Sequence, residues 1–263
     1  MSYLTVFTRK SSMPISGTEL LDLLRQIHKV SDGHVYCAYL FELASSHGIV
    51  FERSGFVYDA DCEPEWVEKE VDVKLRPLEK PHDGIRLYLA AAQVSDSELR
   101  FFSFYKVLEH FAPTVLNIEV HDTLQKKLLT AQALSPDGEF IHDILTISKS
   151  FDQRRNDRDL IKGVLLTAVD LVELSKLLPT SLRKAISYET NSRDLEQFAK
   201  DLAESICATR HQVAHAKAHY DVRGTECKEV DLPMFTSFME KAAAEVVRWY
   251  NRLPGHQRTH RTI

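Results

Sequence analysis

Between residues 208 and 220 the chain reads Ala-Thr-Arg-His-Gln-Val-Ala-His-Ala-Lys-Ala-His-Tyr, with His211, His215 and His219 at four-residue spacing and Arg210 directly before the first. Histidine is the side chain whose ordinary pKa lies closest to neutral pH, so it can take or give a proton under physiological conditions. Arginine stays charged and can fork onto two oxygens of a phosphate. Together they suit chemistry at a phosphodiester, with His215 moving the proton, Arg210 stabilising charge on phosphorus, and His211 orienting or touching the substrate. Lys217 and His219 continue the segment as candidate substrate contacts. Spacing alone carries little weight. Seventeen arginines and twelve histidines in 263 residues give 17 × 12/263, roughly 0.8 chance occurrences of an arginine five residues before a histidine, and the chain has one.

The element that must hold these groups is a helix from about Ser192 to Tyr220, expected to be the longest in the chain. A second helix, opening near Ser95 and containing Phe-Phe-Ser-Phe-Tyr-Lys-Val-Leu-Glu-His-Phe (101–111), puts Tyr105 and Glu109 on one face. Phe101, Leu108 and Ala112 continue that face. A carboxylate on an aromatic, inward-looking stripe needs a cationic or hydrogen-bonding partner, and Arg210 or a histidine can supply it; otherwise Glu109 sits at a rim in water.

Phe-Tyr-x-Val-Leu-Glu-His in an early helix and Arg-His-x-x-x-His in a late one together resemble the HEPN superfamily, whose signature is arginine, a polar residue, three variable residues and histidine. Here those are Arg210, His211 and His215, and the resemblance covers about residues 95–220. It implies a homodimer of helical bundles with the motif helices near a twofold axis, and an endoribonuclease that works without metal or other cofactor, as in toxins and antiphage-defence effectors. RNA, transfer or messenger, would be the substrate. Other members of the superfamily are non-catalytic binding modules for a nucleotide or protein. One toxin subgroup carries tyrosine two residues after the histidine; this chain has Lys217 there, and its nearest tyrosine is Tyr220. Arg210 and His215 lie about 140° apart around an ideal helix, so a second copy of the helix is needed to aim both at one phosphate.

A competing reading takes Cys207, His211, His215 and His219 as an i, i+4 ladder of zinc ligands. Gln212 stands where a zinc protease needs its glutamate base, and no supporting carboxylate or cysteine follows at a helical step, so no metal site is expected. Arg154, Arg155 and Arg158 can grip a nucleic-acid backbone, or belong to a solvated loop with Asp152, Asp157 and Asp159 interleaved.

Composition frames the rest. An apolar fraction of 44% and a charged fraction of 27% suit a water-soluble globular chain, and no segment reads as a membrane span or a hydrophobic signal core, so a cytoplasmic protein is expected. Four scattered cysteines without a Cys-x-x-Cys pair read as reduced thiols. Residues 1–94 hold 10 basic and 14 acidic side chains and residues 95–263 hold 23 and 24, so a polyanion would have to bind locally rather than across the surface.

The fold class expected is α+β and mostly helical, a HEPN-like bundle over 95–263 preceded by a small mixed α/β domain over 1–94. The front domain reads as a helix over about 17–30, then short strands at 34–43, 48–53, 56–58, 71–75 and 85–92, with an acidic stretch over 59–72 that is either a solvated loop or the docking site of a basic partner. In the rear domain Ser95 and Glu98 form a capping box, Pro113 ends the first helix, and a second spans about 119–133. Further helices are expected over 140–150 and 160–178, and a last one ends near Leu253.

Overall fold

A computed structural model describes residues 3–8, 33–54, 76–153, 156–214 and 224–258. Its elements are mostly helical, and none of the described helices is long and apolar enough to cross a membrane. They fall into two compact units, Met1–Ser95 and Asp96–Ile263.

In the first unit, β1 (Tyr3–Thr8) pairs antiparallel with β2 (Ile49–Ser54), from Tyr3 opposite Ser54 to Thr8 opposite Ile49. The strand expected at 48–53 matches β2. Two other expected strands are helices instead: α1 (Gly33–Glu42) covers 34–43 and α2 (Asp83–Gln93) covers 85–92. In α2, Ile85, Tyr88, Ala91 and Ala92 are buried at helical spacing, and His82 caps the helix by accepting from the Gly84 amide at 3.1 Å. A short apolar run reads equally as a buried strand, and packing decides it: Phe41 of α1 meets Tyr88 of α2 edge to face at 4.9 Å. Leu43–His47 widens α1 into a π-helical turn, and Gly48, at φ 67°, closes it by donating its amide to Ala44. The expected helix at 17–30, the strands at 56–58 and 71–75 and the acidic stretch 59–72 lie outside the described residues.

The second unit is built on α3 (Ser97–Leu128), at 32 residues longer than the histidine helix expected to be longest. Its cap is Asp96, which accepts from the Leu99 amide at 2.9 Å, rather than Ser95 with Glu98; the charged oxygen at the helix N-terminus gains from the dipole as well as the hydrogen bond. The helix continues through Pro113, so the two helices expected over 99–112 and 119–133 are one. Proline lacks the N–H that would bond the Glu109 carbonyl, a cost near 3 kcal/mol in a helix interior. Burial of Phe111, Ala112, Thr114 and Val115 on both sides of it carries the helix across that gap.

Around α3 stand α4 (Gly138–Gln153), α5 (Asp157–Ala168), α7 (Ser192–Ala214) and α8 (Leu232–Arg252), with the short α6 (Leu171–Leu174) against α8. Of the loop expected around Arg154, Arg155 and Arg158, Asp152 belongs to the end of α4 and Asp157 and Arg158 to the start of α5, and the single helix expected over 160–178 breaks after Ala168. Asn156 caps α5 by accepting from the Asp159 amide, and Asp170 caps α6 by accepting from Glu173. The α3–α8 seam is aromatic, with Phe101 5.2 Å from Phe235 and Phe111 5.0 Å from Tyr250, and Arg100 pairs with Glu240 across it. Ile161, Val164 and Leu165 of α5 and Phe198, Leu202 and Ile206 of α7 complete the core.

Candidate functional site

Arg210 lies in the last described turn and a half of α7, where the helix is anchored by its neighbour. Thr209, buried, donates to the Ser205 carbonyl at 2.7 Å and accepts from the Cys227 amide at 2.9 Å, so the chain returning to α8 is tied beside the arginine. Facing inward between α7 and α3, Tyr105 is 1% exposed and its ring lies under the Arg210 guanidinium, 4.9 Å from centroid to Cζ. That cation–π contact holds the guanidinium over the ring face.

Two carboxylates then fix its edge. Asp157, in the first turn of α5, accepts a hydrogen bond from Arg210 Nη2 at 3.1 Å, and Glu109 of α3 lies 3.8 Å from the same nitrogen. Their side chains are about half exposed, at 51% and 49%, whereas Arg210 is 24% exposed. Glu109 is thus a rim carboxylate and a partner of Arg210 at once. The Arg210 Nε is buried with no hydrogen-bond partner among the described residues. Nη2 belongs to both edges through which a guanidinium can grip an anion with two nitrogens, so a phosphate must share or displace Asp157.

Burial shapes the chemistry beneath. It raises the Tyr105 phenol well above its usual range, with Cys207 adding to the shift and Arg210 opposing it. Burial, then Asp157, pushes the Cys207 thiol from 9.0 to about 11, while Arg210, then Arg158 and a hydrogen bond with Tyr105, pull it partly back. Neither group ionises near neutral pH, so in this layer Arg210, Asp157 and Glu109 carry the charge.

No protein-family model matches this chain, and comparison with curated proteins and with solved structures found no match.

Beside Arg210 an open groove of about 570 Å³ runs between α5 and α7, lined among others by Arg158, Lys162, Lys200, Glu204, Cys207 and His211. His211 is half-buried on its wall. The structure therefore brings Tyr105 and Glu109 to Arg210, and places His211 with Arg210 on the groove wall. His215 and His219, the last two members of the zinc ladder, lie outside the described residues, as do Lys217, Arg154 and Arg155. Among the described residues no three His, Cys, Asp or Glu side chains are grouped to hold a metal ion. Asp157 was read from sequence as one acid in a solvated loop, and no local signal marks it: its partner stands 53 positions away.

Proposed function

We propose that the chain is a homodimeric, metal-independent endoribonuclease of HEPN type, with Arg210 at the scissile phosphate. The observation that carries the proposal is the meeting of the Tyr105–Glu109 face of α3 with Arg210 of α7, which joins at one point the two helices whose motifs resemble that superfamily. In the proposed reaction the 2′-hydroxyl of the ribose loses its proton to a base and attacks phosphorus, a 2′,3′-cyclic phosphate forms, and the 5′ oxygen leaves with a proton from an acid. His215 serves in proton transfer, and Arg210 stabilises the charge that develops on the phosphorane oxygens. His211 orients the substrate, with Lys217 and His219 supporting it. DNA, which lacks the 2′-hydroxyl, is not cut. On an ideal helix residues five apart stand about 140° apart, so in this proposal a second copy of the chain supplies the complement to Arg210. The first unit, a small α/β domain in this proposal, senses or restrains the second in the cytoplasm through a regulatory protein partner, as in a toxin or antiphage-defence effector.

One observation favours a second reading, a non-catalytic binding module of the same fold: two carboxylates already offset the Arg210 charge. Total RNA incubated with the protein in excess chelator separates the two. Fragments ending in 2′,3′-cyclic phosphate, lost in Arg210→Ala and in His215→Ala, support the nuclease. Intact RNA, with a nucleotide that raises the unfolding temperature, supports the module. Activity that vanishes with chelator refutes both in favour of a metal site.

A further inference from the structure

The α5–α7 groove is lined by four basic side chains, Arg158, Lys162, Lys200 and Arg210, and three acidic ones, Asp157, Asp159 and Glu204, and its basic groups continue away from Arg210. On α7, Lys200, Glu204, Cys207 and His211 are spaced four, three and four apart and so share the face that walls the groove. On α5, Arg158 and Lys162 are one helical turn apart. Arg158 lies 3.3 Å from Glu204, Lys162 3.7 Å from Glu196, and Asp157 3.1 Å from Arg210, so residue numbers rise along α5 as they fall along α7 and the helices are antiparallel. The groove therefore leads from Arg210 toward Lys162 and Lys200. Ten residues of helix from Arg210 to Lys200 span about 15 Å. That exceeds what one phosphate fills, since even stacked nucleotides advance about 3.4 Å each along a strand.

The charges along it are not all neutralised. Arg158 is held by Glu204, and Arg210 by Asp157 and Glu109. Among the described residues Lys162 meets the Glu196 carboxylate at 3.7 Å, a side chain 60% exposed, Asp159 turns to the Asn156 amide, and Lys200 stands exposed on the wall beside Asp201. In a unit whose 23 basic and 24 acidic side chains nearly cancel, such a strip is where a polyanion can gain a foothold.

Building on the nuclease reading above, we propose that this groove is the track of the RNA backbone leading away from the cleaved linkage, with Lys162 and Lys200 as its phosphate contacts. A groove of cations following a single strand binds through its phosphates, largely without regard to base sequence, and its affinity falls steeply with salt.

The test uses the full chain and a short fluorescent 2′-O-methyl oligoribonucleotide, which has no free 2′-hydroxyl to react, with anisotropy followed over a salt series. For Lys162→Gln/Lys200→Gln the slope of log affinity against log salt should be shallower by about 1.4, two phosphates at about 0.7 each. Taking the ionic contribution as zero at about 1 M salt, that is roughly tenfold weaker binding near 0.15 M. Lys176→Gln, on an exposed lysine paired with Glu173 and outside the groove, should change neither. An unchanged unfolding temperature in the double variant ties the loss to binding. Equal slopes in wild type and double variant overturn the track, and so does a wild type that does not bind the oligonucleotide. Cleavage of total RNA, scored separately, judges the nuclease reading: cleavage with equal slopes leaves that reading and removes the track, whereas a lost slope without cleavage keeps the track on a protein that binds RNA without cutting it.

Discussion

The contact between Arg210 and Asp157 joins α7 to α5 at the mouth of the groove, and a double-mutant cycle measures it directly. Asp157→Asn removes the charge while leaving Asn156, the residue that caps α5, in place. It also removes a negative charge from the first turn of a helix, worth about 0.3–1 kcal/mol by itself, but that contribution appears equally with and without the arginine and cancels in the cycle. Arg210→Gln removes the guanidinium and its stacking on Tyr105. Asp157 is 51% exposed and Arg210 24%, so solvent screens the pair and the coupling should be about 0.5–1 kcal/mol, at the upper end of surface ion pairs because Arg210 is mostly covered and rests on the Tyr105 ring. In a unit of this size 1 kcal/mol moves the unfolding temperature by about 2–4 °C, which calorimetry resolves. The cycle is run at low salt and repeated at high salt, where the coupling should shrink. Arg210 with Glu109, at 3.8 Å, should couple less. A coupling between Arg210 and Asp157 below about 0.2 kcal/mol at low salt would refute the clamp, and with it the claim that a phosphate must contend with Asp157. If the clamp is real, a bound phosphate feels a nearby negative charge, a repulsion of about 1 kcal/mol in a well-solvated site. Asp157→Asn should then bind RNA about fivefold more tightly, the reverse of what loss of a substrate contact would do.

Three further outcomes follow from the fold. Glu240→Ala leaves Arg100, 15% exposed at the α3–α8 seam, without its carboxylate and should lower stability by about 2–4 kcal/mol, while the paired change to Arg100→Met with Glu240→Leu should recover most of it in urea unfolding. Pro113→Ala restores a donor to the Glu109 carbonyl inside α3 and should stabilise the unit by about 1–3 kcal/mol; a loss instead would show that the helix depends on the proline. Cys207 rises from 9.0 to about 11 and Cys227 from 9.0 to about 12, both chiefly by burial. A folded-state pKa above the unfolded one favours the folded state fully below pH 9 and loses that contribution as pH climbs toward 11 and 12, so stability should fall across that alkaline window and not between pH 6 and 8. In the same way, alkylation of Cys207 at pH 8 should be slow in the folded chain, where about one thiol in a thousand is ionised, and fast in urea.

The helical rear of the chain was legible because its apolar residues recur at helical spacing over long stretches, and long periodic segments leave little choice. The errors there were local. Asp96 outcompeted Ser95 as a cap because a carboxylate gains from the helix dipole, and Pro113 did not end α3 because burial on both sides of it outweighed one missing hydrogen bond. In the front unit the runs 34–43 and 85–92 were read as strands because they are short and apolar, a pattern that suits a buried strand and a buried helix alike. Tyr88 against Phe41 settles them, and that contact crosses 47 positions of sequence.

The site divides along the same line. A carboxylate four residues from a tyrosine on an aromatic stripe demands a cation, and that demand pointed from Glu109 toward Arg210 or a histidine before any contact was known. Asp157 made no such demand. It precedes an arginine, stands near two other acids and opens a helix, all of which account for an acid without invoking a distant partner. Asp159 obeys the local account, accepting from the Asn156 side chain at 2.6 Å, and only the antiparallel packing of α5 on α7 carries its neighbour to Arg210 instead. The consequence is chemical as well as structural. An arginine met by two half-exposed carboxylates keeps its geometry but loses much of its field, so its attraction for a phosphate depends on how far those carboxylates yield. Control of this site would then act most directly on Asp157, whose helix also forms one wall of the groove.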